Sequence, residues 1–237
     1  MHLMKKIITL SSISVHLITG LIINSLLMSC SSDKLGDKLG DEMSTDTANE
    51  TVRHSSDTSY RSANNDSQAL LAFTQQSHAH VKLLAGDLKQ ALMSAMQSGG
   101  PQAAVNVCNM QASRITAELN SQQPLQIKRT SLKYRNPNNQ PDAWERAVLE
   151  QFNQQAADGV AIQQMVHSEQ VDVNGQTQFR YMRAIPVQAP CLTCHGSEQQ
   201  IPATVRATLI EHYPNDQATG YAIGDIRGAF SVWQSIE

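Results

Sequence analysis

Residues 160–187 read VAIQQMVHSEQVDVNGQTQFRYMRAIPV, with Asn174-Gly175 at the centre of the run. An Asn-Gly pair between two runs that contain β-branched and aromatic residues is a strong signal for a β-hairpin. The reason is that both residues accept the positive φ angles of a two-residue turn. We therefore predict two antiparallel strands, Val160–Val173 and Gln176–Val187, joined at this turn.

The segments on either side of this hairpin predict helices before it and a strand near the end of the chain. Leu84 and Leu88 belong to an apolar stripe at helical spacing, and Gly99-Gly100 followed by Pro101 predicts the end of one helix and the start of the next. Helices first and a mostly antiparallel sheet later predict an α+β domain. The predicted elements outside the hairpin are helices over Ser67–Ser98, Pro101–Leu119, Asp142–Ala157 and Pro202–His212, an extended segment from Leu125, and a strand over Ile226–Ile236.

The composition excludes several classes of protein. Of the 237 residues, 41% are hydrophobic and 16% are charged, so the chain is neither collagenous nor wholly disordered. The formal net charge is −3, and a chain with no excess of basic residues is not predicted to bind nucleic acid. Four cysteines are too few for a disulfide-dense scaffold of this length, so we expect them to have separate roles.

The first 30 residues have the charged-then-apolar order of an export signal, because Lys5 and Lys6 precede the apolar run Ile7–Met28. The run ends in Leu27-Met28-Ser29-Cys30, which resembles the bacterial lipobox, where the cysteine is acylated and becomes the mature N-terminus. This pattern predicts a lipoprotein signal peptide over residues 1–29 and lipidation at Cys30. A retained signal-anchor helix is the alternative, since the apolar run is about long enough to span a membrane.

The predicted anchor places the protein on the periplasmic face of a membrane, where several acyl chains hold a lipoprotein stably. Ser31, rather than Asp, follows Cys30, and this favours the outer membrane over the inner membrane if the source is a Gram-negative bacterium. Residues 30–65 are rich in Ser, Thr, Asp and Asn and are predicted to be a disordered linker, because few apolar side chains are present to offset the entropy of ordering. Residues 66–237 suit one folded domain.

The motif Cys191-Leu192-Thr193-Cys194-His195 matches the attachment signature of c-type haem. Two thiols within one turn reach the two vinyl groups of the porphyrin, and the adjacent imidazole reaches the iron. The motif predicts one covalent haem c, attached through Cys191 and Cys194, with His195 as the proximal iron ligand. The alternatives are a redox-active disulfide or dithiol, and a zinc site that would need a fourth ligand.

The motif does not identify the iron ligand on the opposite side of the haem. Cys108 is favoured because it lies on the apolar face of a predicted helix and is the one thiol left over once the other three cysteines have roles. Its alternative role is that of a small buried core residue. We expect His78 and His80 on the surface of their helix. The side chains able to bind iron are His78, His80, Met93, Met96, Cys108, Met110 and His167.

Several blocks of residues 66–237 carry a family resemblance. They are Ala104–Cys108, Arg129–Lys133, Arg135–Pro137 with Asn139, Pro141-Asp142, Trp144-Glu145, Cys191–Gly196, Tyr213-Pro214 with Asp216 and Ala218, Gly220-Tyr221 and Gly224–Val232. On these blocks the chain resembles the c-type haem family protein, a PAS-like haem domain that also occurs as the extracellular sensor part of bacterial signalling proteins.

The resemblance implies N-terminal helices packed on a PAS-like sheet, with His195 as the proximal ligand and Cys108 as the distal ligand of one covalent haem. Because both axial positions would then be filled, we do not expect an enzyme. The expected function is a redox or diatomic-gas sensor, which would act through a redox partner or a small diatomic ligand. The alternatives are a single-haem periplasmic electron-transfer protein and a lipoprotein binding module without haem. We favour sensing because the motif lies late in an α+β chain, whereas small electron-shuttle cytochromes usually carry it near the N-terminus of a helical domain.

Overall fold

The computed structural model describes the backbone of residues 47–236 and the side chains of residues 64–236. The predicted signal peptide over residues 1–29, the predicted lipidation site Cys30 and the first part of the predicted linker lie outside the described residues. In the described part of the chain, no helix is both long enough and apolar enough to cross a membrane.

Two helices precede the first strand, and helices and strands are mixed along the rest of the described residues. A π-helical segment, Val107–Gln111, joins the first two helices, and short 3-10 turns occupy Pro137–Asn139, Ile162–Gln164 and Ala189–Cys191. The α+β class predicted from the sequence is confirmed. The elements are α1 (Thr47–Asn106), α2 (Ala112–Ser121), β1 (Gln126–Thr130), α3 (Ala143–Ala157), β2 (Val166–Val173), β3 (Gln176–Pro186), α4 (Leu192–His195), α5 (Ala203–His212) and β4 (Ile226–Ser235).

Helix α1 bends at the break that the sequence predicts. Gly100 has φ 69° and ψ −166°, a conformation that glycine adopts without strain, and Pro101 follows it inside the same helical span. The helix begins at Thr47, well before the predicted start at Ser67, so the last part of the predicted linker is helical. Extending a helix costs much less than nucleating one, and a helix anchored further along the chain therefore continues through a polar segment.

The four strands form one antiparallel sheet in the order β1-β4-β3-β2. Val173 of β2 pairs with Gln176 of β3, and the turn between them has positive φ angles at Asn174 (56°) and Gly175 (81°). The predicted hairpin is confirmed. Its first strand is shorter than predicted and begins at Val166, because the residues before it form a 3-10 turn whose Ile162 is buried in the core.

Each face of the sheet packs against different helices. Helices α1 and α2 cover one face, and α3 covers the other. Burial of each large apolar side chain contributes roughly 1.5–3 kcal/mol to the free energy of folding. Both helical layers therefore stabilise the sheet that carries the site. The core on the α1 side includes Phe73, Leu84, Ile127, Tyr181 and Val232, and the core on the α3 side includes Leu149, Phe152, Met182 and Ala229.

Gly228 lies where β4 passes close to the end of β1. Its φ angle is 154°, and a Cβ atom at this position would lie 2.3 Å from the carbonyl oxygen of Thr130. We expect Gly228→Ala to lower the free energy of unfolding by about 2–4 kcal/mol, because backbone strain and the steric clash add. Urea denaturation followed by circular dichroism measures the change.

The matched control for this prediction is Gly86→Ala in α1, since a Cβ atom at Gly86 has no neighbour within 4 Å. Alanine favours the helix over glycine by about 1 kcal/mol, so this variant should be at least as stable as the unaltered protein. Equal stability of the two variants would show that β4 does not need glycine at residue 228.

Candidate functional site

The Cys-x-x-Cys-His motif forms a short helical turn at the end of β3. Pro190 lies in the 3-10 turn that ends at Cys191, and α4 continues through Cys194 and His195. Residues three positions apart share one face of a helix, so the two thiols emerge on the same side. Both cysteines are free thiols and half-buried. Among the residues that the structure describes, no group of three or more His, Cys, Asp or Glu is placed to hold a metal ion.

The imidazole of His195 is held in one tautomer. Its Nδ1 lies 2.7 Å from the carbonyl oxygen of Ala218, and because a carbonyl only accepts, Nδ1 carries the proton. Nε2 then accepts a hydrogen bond from Nε of Arg227 at 3.4 Å. Burial, and then the positive charges of Arg227 and Arg135, lower the pKa of His195 well below its ordinary value. The ring is therefore neutral, with its lone pair on Nε2.

The loop before β4 holds the motif helix in place through its backbone. The amide of Tyr221 donates to the carbonyl oxygen of His195 at 2.9 Å, and the amide of Gly220 donates to that of Gly196 at 2.7 Å. The Tyr221 ring meets the imidazole edge-on, with centroids 6.3 Å apart. The two backbone hydrogen bonds hold the motif helix against the loop, and the Tyr221 ring contacts the histidine ring. Backbone hydrogen bonds of this kind cannot be read from residue types.

Cys108 lies in the π-helical segment, where the amide of Ala112 donates to the carbonyl oxygen of Val107, five residues earlier. The thiol is half-buried. Burial is the largest cause that raises the pKa of the Cys194 thiol, and Cys108, which lies within electrostatic range of Cys194, acts in the same direction. The structure therefore brings together Cys108, Cys191, Cys194 and His195, although Cys108 is far from the other three in the sequence.

Apolar side chains link the helix that carries Cys108 to the motif. Val105, one turn before Cys108, is buried with Val205 and Leu209 of α5, and Cys194 packs against the same cluster. Tyr213, at the end of α5, also belongs to this cluster, and burial first, then the charge of Cys108, raises its pKa to about 12. The site is thus lined by apolar and neutral side chains on the side of α5.

Arg135 ties the motif helix to the following loop. Its Nε donates to Asp216 at 2.9 Å, and its Nη2 donates to the carbonyl oxygens of Cys194 and Ala218. Asp216 also accepts the amide of Ala218 at 2.8 Å. The ion pair therefore positions the carbonyl group that fixes the His195 tautomer. Sequence patterns did not predict this ion pair, because it joins residues distant in the sequence.

We expect Asp216→Asn to lower the free energy of unfolding by about 3–5 kcal/mol. The Arg135 and Asp216 side chains are only 8% and 11% exposed, and removing one charge leaves the other buried without its partner. Urea denaturation of the purified chain measures the loss. Asp87→Asn on the exposed face of α1 is the control, with an expected change within about 0.5 kcal/mol. If both variants unfolded at the same urea concentration, the ion pair would not position the loop.

The other iron-binding candidates have contacts elsewhere. His78 is exposed and contacts Arg183, and His167 pairs with Glu169 at 3.2 Å. The prediction that His80 lies on the surface is wrong, because it is 5% exposed and burial lowers its pKa. Met110 is 67% exposed and Met93 is 46% exposed. Met96 packs beside Ala95, Ala104 and Val107.

Comparison with known proteins places the chain in a family. The Tll0287-like family model matches residues 41–235. A solved structure titled "Crystal structure of the cyanobacterial heme-protein Tll0287" is similar, with 26% sequence identity and a TM-score of 0.47, over 68% of this chain and 94% of that chain. No curated protein shows significant similarity. Since the family model spans most of the sequence, the chain belongs to the Tll0287-like family.

Proposed function

We propose that this chain is an exported, lipid-anchored protein that binds one haem covalently and senses a redox change or a diatomic gas. The observation that carries the haem proposal is the His195 tautomer beside two free thiols. A histidine that donates from Nδ1 to a backbone carbonyl presents Nε2 to a metal in a fixed orientation. The family is named after Tll0287, which is described as a heme-protein, and this supports the same assignment.

The residues of the site fit the chemistry of haem attachment. Cys191 and Cys194 would each add the S–H bond across a vinyl group, forming a C–S bond and passing the hydrogen to the neighbouring carbon, so the addition is redox-neutral. His195 would bind the iron through Nε2 once the long contact from Arg227 is released. A covalently held haem supplies a centre that changes between ferric and ferrous states.

Cys108 is the proposed distal ligand. It is half-buried and within electrostatic range of Cys194, and other cysteines are assigned to the motif and the predicted anchor. A thiolate ligand donates electron density to iron, and we therefore propose a low reduction potential. If His195 and Cys108 both bound the iron, they would leave no coordination position for a substrate, and for that reason we propose no enzymatic activity.

The π-helical segment supports the sensing role. A π segment holds one residue more than an α-helical turn, and each residue of an α-helix corresponds to about 100° of rotation. Loss of the bond from Cys108 would allow Val107–Gln111 to change its winding and would rotate the adjoining helix α2. Loss of the bond between Cys108 and the iron would in this way alter how the helices pack on the sheet.

Electron transfer is the second candidate function. The residues that lead into the motif, Gln188-Ala189-Pro190, are exposed. A haem attached at the adjacent Cys191 would therefore have an edge close to the surface, where a redox partner can approach. The same covalent site thus supports either function. A sensor would lose the bond between Cys108 and the iron during its response, whereas an electron-transfer protein would keep it.

Titration of the reduced protein with CO and NO tests the sensing role. We expect each gas to change the optical spectrum as it displaces Cys108. The Cys108→Ala variant should bind CO about tenfold more tightly or better, because no internal ligand competes. A reduced protein that keeps Cys108 as an iron ligand, and whose spectrum does not respond to saturating CO or NO, would contradict sensing and leave electron transfer as the function.

A further inference from the structure

Positive charge exceeds negative charge around His195. Three guanidinium groups, those of Arg129, Arg135 and Arg227, lie within electrostatic range of the imidazole. Asp216 is the carboxylate of this cluster, and Arg135 already pairs with it at 2.9 Å. Within the described residues, neither Arg129 nor Arg227 forms an ion pair with a carboxylate, although both are half-buried. The site therefore holds two cations in excess.

The two unpaired arginines come from neighbouring strands. Arg129 of β1 pairs in register with Phe230 of β4, and Arg227 lies three residues before Phe230 on the same strand. Arg227 is oriented by Ser131, whose Oγ accepts from its terminal nitrogen at 3.1 Å, and by the Tyr221 ring, 5.4 Å from the guanidinium carbon. Both guanidinium groups are close enough to influence each other electrostatically.

Removing a cation from water lowers the stability of the folded protein unless an anion neutralises the cation. Tyr213 does not supply that anion near neutral pH, since its pKa is raised to about 12 by burial first and then by Cys108. A planar guanidinium recognises a carboxylate through two parallel hydrogen bonds. Two such groups with no protein carboxylate are therefore complementary to a ligand that carries two carboxylates.

We infer that Arg129 and Arg227 each bind one of the two propionate groups of the haem. The inference rests on the proposed function and adds to it which residues orient the porphyrin. Arg135 is assigned a different role, because the carboxylate of Asp216 already neutralises its charge through an ion pair at 2.9 Å. Arg183 of β3 does not belong to this cluster, since it contacts His78 of α1 and the carbonyl oxygen of Gln163 instead.

Resonance Raman spectra of the holoprotein test this inference, because the bending modes of haem propionates respond to their hydrogen bonds. Arg129→Gln and Arg227→Gln should each shift one propionate mode to lower frequency, and the double variant should shift both. Arg129→Lys and Arg227→Lys, which keep the charge, should shift the modes less. Arg146→Gln, on an exposed position of α3, is the control and should leave both modes unchanged.

The outcomes separate this inference from the proposed function. If the unaltered protein carries no covalent haem, the proposed function fails and the inference fails with it. If haem is attached but the propionate modes are the same in the unaltered protein and in all four single variants, only the arginine assignment is overturned. If the Gln variants accumulate without haem, the Lys variants decide: normal haem content with near-normal modes supports the inference, and loss of haem in them as well overturns it.

Discussion

Exported protein in which Cys191 and Cys194 are both replaced by Ser is expected to lose all covalently bound haem. Serine hydroxyls do not add to vinyl groups under conditions in which thiols do, and the other described cysteine, Cys108, lies on a different helix. Each single variant should keep one thioether bond and a reduced haem content. A denaturing gel stained for haem, followed by the intact mass of the band, measures the result.

Cys108→Ser is the matched control for the attachment prediction, because it removes a thiol at the same site but outside the motif. It should retain covalent haem. Haem that survives denaturation in the Cys191→Ser, Cys194→Ser double variant would show that attachment uses another residue. Loss of covalent haem in Cys108→Ser alone would show that Cys108 is itself an attachment residue and would remove it as the distal ligand.

Replacing Cys108 with Ala is expected to remove the low-spin ferric thiolate signature from the EPR and optical spectra while the His195 bond remains. Loss of an electron-donating ligand should also raise the reduction potential, by on the order of 0.1 V within the roughly 0.8 V range that axial ligands set. Met110→Ala is the control, since Met110 lies in the same π-helical segment but is 67% exposed. A thiolate signature that persists without Cys108 would assign the distal position to another residue.

Elements whose boundaries depend on local chemistry agree with the sequence-based expectation. Asn174-Gly175 has the positive φ angles of the predicted turn, and Gly100 breaks α1 as expected. Helix α3 begins after Asp142, which forms a capping box with Glu145. In each case the deciding interaction lies within a few residues of the boundary, so the sequence contains enough information to locate it.

Features that depend on more than the side chains next to a boundary could not be predicted in the same way. Helix α1 starts twenty positions early, at Thr47 against Ser67, because propagation of an anchored helix is inexpensive. The π-helical segment Val107–Gln111 has no local signature: buried Val107 and Ala112 lie five residues apart, and an α-helical pattern does not place such a pair on one face. His80 is buried, contrary to the prediction, and helical spacing alone does not show which side of α1 meets the sheet.

The same distinction between local and long-range interactions applies to the site. The motif spacing predicted Cys191, Cys194 and His195, and the structure places all three on one turn with Cys108 nearby. The Arg135–Asp216 ion pair joins residues 81 positions apart, and the partner of the His195 Nδ1 atom is a backbone carbonyl. A sequence pattern shows neither contact. Residues that meet across the fold have no fixed spacing in the sequence, and every residue has a backbone carbonyl, so the acceptor cannot be recognised by its residue type.

The intact mass of the exported full chain tests covalent haem attachment. We predict a polypeptide mass increased by one haem that survives denaturation, with the added mass located by peptide fragmentation on the segment that contains Cys191 and Cys194. If a chain exported from cells with haem-attachment machinery carried no haem mass, and both cysteines remained free thiols, covalent attachment would be contradicted.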